Sequence, residues 1–161
     1  MRYKQWHHAR RQTSIKRMNV KSIKAGRDGM HVLIFATGDE VMTTLRDYAE
    51  KQGIQAARFT GIGAFQSATL AYFDWEKKAY EEIAIDDQVE VLVLAGDIAM
   101  KDGKPEPHVH VVLGRRDGST RGGHLCRAIV RPTLELTLEA GGALIRRFDP
   151  ASGLALIAPE A

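Results

Sequence analysis

The chain has 161 residues, 44% of them hydrophobic and 27% charged, which suits one domain at the usual ~150 residues per unit and excludes two well-cored ones. A chain of this length buries roughly two thirds of its unfolded surface, so it needs no disulfide framework. Its one cysteine, Cys126, has no partner in the chain and fits a reducing cytoplasm. The net charge of +3 is unevenly spread: residues 1–27 hold nine basic residues and no acid, and the remaining 134 carry 14 basic against 20 acidic groups, a net of −6. A uniformly basic nucleic-acid-binding domain is therefore excluded.

The basic leader, residues 1–20, has no apolar stretch of the ~7 to 15 residues that a secretory signal requires. Nothing later reaches the ~18 apolar residues of a membrane span. The expectation is a soluble, cytoplasmic protein with no membrane partner. Two readings of the leader stand. Arg10, Arg11, Lys16 and Arg17 can neutralise phosphate while Tyr3 and Trp6 stack on bases, making a nucleic-acid-contacting arm. Alternatively the segment is a disordered tail, or an extension ahead of a start at Met18.

Residues 21–150 are expected to form the domain and 151–161 a C-terminal tail. The first strand signal is MHVLIFA over 30–36, closed by Thr37 and Gly38. Val41, Leu45, Tyr48 and Ala49 then recur at helical spacing, Glu40 stands near the positive end of the dipole, and Gly53 supplies a stop, so the spacing predicts a helix over 39–52. Beyond it the period falls to two. Strands are predicted over 56–61, 67–74, 80–85, 89–100, 108–113, 125–130, 134–139 and 143–148, with hairpin-like breaks at 101–104, 116–119 and Gly141-Gly142. One principal helix followed by about seven strands argues for an α+β domain built on a mainly antiparallel sheet. Gly61, Gly63, Gly96, Gly122 and Gly123 are read as bends and close-packing sites. The strand after Gly61-Ile62-Gly63 removes the helix N-terminus that a phosphate loop needs.

The chemistry concentrates in GKPEPHVHVVLGRRDGSTRGGHLC, residues 103–126. His108 and His110 flank Val109, and in a strand that spacing sends both imidazoles to one face. A turn at Gly118 and the Gly122-Gly123 pair allow His124 to return to them. Three histidines and a water make an open zinc arrangement, also acceptable to other metals that favour imidazole. Cys126, two residues beyond His124, is either a further ligand that closes the shell or a small buried hydrophobe. A cupin site is disfavoured, because no acid follows His110 until Asp117. If the metal activates a water, Glu106 between Pro105 and Pro107 is the candidate base, and the protein is a metal-dependent enzyme. Otherwise the histidines serve a binding module or stabilise an assembly.

In order along the chain, GIGAF (61–65), VEVLVLAGDIAMKDGKPEPHVHVVL (89–113) and GGHL (122–125) followed by a Leu-Glu-Leu strand resemble the PPC domain, the "plants and prokaryotes conserved" domain. The resemblance runs from about residue 21 to 148. It implies a compact α+β fold, a homotrimer, and a metal, zinc, held at His108, His110 and His124. Plant members join the domain to AT-hooks, whose Arg-Gly-Arg-Pro core this chain lacks. Their partner-binding segment matches DQVEVL (87–92) best at Glu90, which implies a protein contact there. The acidic body argues against duplex binding by the domain itself. A DNA partner is therefore expected only through the leader, in a regulatory role.

Overall fold

The structure is a computed structural model, and it describes residues 21–24 and 29–159. Arg10, Arg11, Lys16 and Arg17 lie outside the described residues. Among the described residues the architecture is α+β: one helix and a mainly antiparallel sheet of seven strands, with a separate two-stranded sheet near the C-terminus. The strands are β1 (Lys21–Lys24), β2 (Met30–Ala36), β3 (Ala56–Asp74), β4 (Ala79–Ile85), β5 (Val89–Lys101), β6 (Lys104–Gly114), β7 (Thr120–Ala140), β8 (Arg146–Asp149) and β9 (Leu154–Ile157).

The expected strands 56–61 and 67–74 are one strand, β3, and 125–130 and 134–139 are one strand, β7. Irregular sequence in their middles marks register shifts rather than breaks. In β3 the shifts fall between Gly61 and Gly63, between Gly63 and Phe65, between Phe65 and Ser67, and between Thr69 and Leu70. Such bulges bend a strand without ending it, so β3 pairs first with β5 and then with β4 while keeping β7 on its other side. Sheet order is β1-β2-β7-β6-β5-β3-β4, and the extra β7–β3 pairing closes the ring β7-β6-β5-β3. Phe35, Phe65, Leu94, Ile98, Leu113 and Leu125 are fully buried in the resulting core. Each contributes about 1.5–3 kcal/mol through burial.

The helix, α1 (Val41–Gln52), starts two residues later than its spacing predicts, because two acids divide the work at its entrance. The Asp39 carboxylate accepts from Ala36 N at 2.8 Å in the preceding turn. Glu40 is the N-cap, accepting from Met42 N at 3.2 Å and Thr43 N at 2.7 Å. Gly53 closes the other end at φ 67°, where a side chain would be strained. Val41, Leu45, Tyr48 and Ala49 face the core, and the helix packs on β6 and β7.

Two turns set the register that matters for function. Asp102 (φ 51°) and Gly103 (φ 78°) form the two-residue hairpin between β5 and β6. The loop 115–119, closed by Arg115 N donating to Ser119 O at 2.8 Å, joins β6 to β7. Gly141-Gly142 makes no hairpin. The chain leaves β7 there, and β8, which is shorter and later than the strand expected at 143–148, pairs with β9 instead. Leu154–Ile157, within the expected tail, thus form a strand. Leu144 O accepts from Met100 N at 2.7 Å and fastens this C-terminal segment to the end of β5.

Candidate metal centre

Along β6, Pro105, Pro107, Val109, Val111 and Leu113 point into the core, so Glu106, His108 and His110 share the opposite face. Prolines can occupy this strand because residues 104–109 pair with β5 alone, leaving one edge that requires no ladder N–H. His110 lies directly opposite His124 on β7, and His124 in turn lies opposite Ala71 on β3. Gly123, before it, packs so closely on β3 that an added Cβ would lie 2.9 Å from Ala71 O. The three rings form a triangle with centroid separations of 5.1 Å (108–110), 5.1 Å (108–124) and 5.6 Å (110–124). One ligand nitrogen from each can be chosen so that all lie within 4.8 Å of one another.

The electrostatics suit a cation. Burial, followed by the charges of His108, His110 and Arg146, pushes the His124 imidazole down to about 4. Burial, followed by His108, lowers His110 as well. Both rings are therefore neutral near pH 7, the form that binds metal. His124 Nδ1 is buried with no hydrogen-bond partner, and orphaned buried nitrogens are rare enough to require an explanation. Three converging imidazoles with one unsatisfied nitrogen fit a divalent ion such as zinc.

Other groups border the cluster. Asp97, opposite His108 on β5, places Oδ2 3.7 Å from His108 Nδ1 and accepts with Oδ1 from Arg146 Nη2. Burial opposes ionisation of Asp97, but the His108 ring and the Arg146 guanidinium outweigh it and hold the carboxyl below its ordinary value. The Tyr80 ring lies 4.9 Å from that of His124 at 33°. Beside the histidines is a cleft of about 310 Å³ whose walls include Arg46, Glu106, Cys126 and Leu154.

Cys126 is not one of the converging group. It lines the cleft as an exposed residue rather than a buried hydrophobe, and partial cover of its thiol, followed by the Glu82 charge, raises its pKa. Glu106 is held by Arg46, which donates to it at 3.0 and 3.3 Å. Glu90 is exposed on β5 and pairs with Gly114, away from the residues opposite the histidines. Sequence reasoning missed Asp97, Arg146, Tyr80 and Arg46. Asp97 was accessible to it: the two-residue hairpin pairing Lys101 with Lys104 also aligns 97 with 108. The others arrive from β4, β8 and the helix, and no local signal links them to the histidines.

The model of the Plants and Prokaryotes Conserved (PCC) domain matches residues 23–140. A protein from Archaeoglobus fulgidus described as metal-containing is 35% identical, with a TM-score of 0.76 over 90% of this chain and 100% of the other. A plant- and prokaryote-conserved protein from Pyrococcus horikoshii is 30% identical, with a TM-score of 0.77 over 88% and 96%. A protein from Bacteroides thetaiotaomicron, described provisionally as DNA-binding, is 27% identical, with a TM-score of 0.82 over 86% and 96%. No curated protein matches the chain. With the family's ordered motifs on the strands that build the histidine triangle, and its model matching most of the chain, the protein belongs to the plants and prokaryotes conserved domain family.

Proposed function

We propose that this protein is a binding module in which His108, His110 and His124 hold a divalent metal, zinc, within a homotrimer that acts in DNA or protein association. The observation carrying the metal is the convergence of three ring nitrogens within 4.8 Å, one histidine having a buried nitrogen without a partner. The metal-containing relative supports it. Elemental analysis of the purified full chain tests it. About one zinc per chain is expected, with loss of most of it in His110→Ala and His124→Ala. Metal-free wild-type protein after zinc reconstitution, or full zinc content in both variants, overturns it.

Support for self-association comes from exposed apolar side chains on the outer sheet face. Val93 and Val112 are neighbours across β5 and β6, with Leu92 at the adjacent bulge and 51% exposed. Exposed clusters of this kind mark interaction surfaces. Sedimentation should give three times the 17.8 kDa chain mass, and Leu92→Glu with Val112→Glu should lower it. A monomeric wild type overturns the trimer.

For DNA, the support is the leader's charge and the provisional description of the Bacteroides neighbour. Duplex binding should require residues 1–20, with Arg10, Arg11, Lys16 and Arg17 contributing, and fall steeply between 50 and 200 mM salt, as phosphate contacts do. Equal affinity without the leader removes the arm. Glu90 is proposed as a protein contact, tested by Glu90→Lys in a pull-down with a candidate partner.

A second reading, a metal-dependent enzyme, is favoured by the cleft opening beside the histidines. Bound zinc would supply a water of lowered pKa. Glu106 is the carboxylate at hand, held in place by two hydrogen bonds from Arg46.

A further inference from the structure

The cleft beside the histidines has walls of two kinds. One is cationic: Arg46, Lys101 and Arg146 line it. The neighbouring carboxylates are already matched, Glu106 by Arg46 at 3.0 Å and Asp97 by Arg146, while among the described residues Lys101 is in no ion pair. Imidazole rings supply no negative charge, so a divalent ion there leaves the cleft strongly positive. The other wall is apolar, with Leu154 and Leu156 from β9 and Met42 from the helix.

Arg146 stands where the two walls meet. Its side chain is only 8% exposed. It donates to Asp97 and, through Nη1, to Ala155 O at 3.3 Å, yet its Nε has no partner. A buried guanidinium with an unspent donor is costly unless something completes its shell. The volume of about 310 Å³ is at the small end of ligand sites.

We propose that this cleft binds a small monocarboxylate with a short aliphatic tail, its carboxylate directed to the histidine centre and the cationic wall and its tail against Leu154 and Leu156. The inference rests on the metal reading above, since the ion supplies much of the positive charge. A carboxylate is favoured over phosphate because half of the lining offers no hydrogen bonds and repays burial of methylenes. A neutral ligand would leave the uncompensated charge of Lys101 and the metal unanswered. The C-terminal hairpin β8–β9, which lies beyond the family match at 23–140, shapes the aliphatic wall.

Cobalt-loaded full-length protein provides the test, with binding followed by visible absorption and calorimetry for acetate, butyrate, butyramide and inorganic phosphate. Butyrate should bind about tenfold more tightly than acetate, from two further buried methylenes, and at least tenfold more tightly than butyramide. Leu156→Asp should erase the preference for butyrate over acetate, and Lys101→Glu should weaken both carboxylates severalfold. Equal binding of butyramide, tighter binding of phosphate, or no response to any carboxylate by protein that has taken up cobalt overturns the proposal and leaves the metal site standing. Failure to take up cobalt strikes the metal reading instead. In that case calorimetry with butyrate on the metal-free protein decides the cleft: binding retains it, and absence of binding removes it.

Discussion

Asp97 stands across the β5–β6 ladder from His108, its Oδ2 3.7 Å from the imidazole Nδ1, while its other oxygen receives Arg146 from β8. The acid faces Nδ1, so Nε2 would be the nitrogen offered to the proposed metal. Carboxylates placed behind a ligating histidine fix its ring and raise its basicity.

Replacing that acid should therefore weaken metal binding without removing a ligand. Asp97→Asn and Arg146→Ala should each raise the zinc dissociation constant about 10- to 100-fold, the usual cost of losing such an outer partner. Competition with a chromophoric chelator measures it, and circular dichroism checks that the fold is retained. Unchanged affinity in a folded Asp97→Asn protein would remove Asp97 from the site.

Much of this arrangement was legible from residues close in sequence. The strand 30–36 and the helix face Val41, Leu45, Tyr48 and Ala49 follow from local periodicity. The His108-Val109-His110 alternation also shows directly, because a strand's two faces are set by parity. The long strands β3 and β7 did not show as single elements, since a bulge and a turn both appear in sequence as a break in alternation. Arg146 was invisible for a different reason. Its link to Asp97 spans 49 positions and depends on a hairpin that pairs with itself rather than with the main sheet.

The metal-free protein should lose stability as pH falls from 6.5 toward 4. Burial, together with neighbouring charge, holds His124 at about 4 in the folded state, whereas an unfolded histidine titrates near 6.5. Between these values the unfolded chain binds more protons, so stability is fully present above the unfolded pKa and drains away below it. The site is partly open to solvent, so the loss is on the order of 1 kcal/mol after screening, about 2–4 °C in Tm for a chain of this size. Melting curves of metal-free wild type and His124→Gln at pH 7 and pH 5 check it. The variant should lack that increment, and an identical pH response would exclude His124 as its source.

Gly96 controls how closely β5 approaches its neighbours. A Cβ there would lie 2.4 Å from His108 O and 2.6 Å from Phe59 Cζ, and Phe59 is buried. Neither the ladder carbonyl nor the enclosed ring has room to retreat. Gly96→Ala should cost about 1–3 kcal/mol, as overpacking does, and should weaken metal binding by displacing His108. Urea unfolding and chelator competition on the same variant measure the two effects. Loss of stability with unchanged metal affinity would mean that the strain is taken up on the Phe59 side.

Glu40 couples the helix to the strand that carries His124. Besides capping Met42 and Thr43, its Oε1 accepts from Ala128 N on β7 at 3.3 Å. Two of these donors are otherwise orphan N–H groups of the first helical turn, and the third is a backbone N–H in the closed sheet. Glu40→Ala removes all three acceptor contacts and should destabilise the protein by about 1–2 kcal/mol, at the upper end for a cap. Glu40→Gln retains one carbonyl oxygen and should recover part of that loss. Thermal unfolding of both variants checks the order. Because Arg46 lies on the same helix and holds Glu106 at the cleft, loosening the helix entrance should also weaken butyrate binding in Glu40→Ala, while zinc content, fixed by the three strand-borne histidines, stays at the wild-type level.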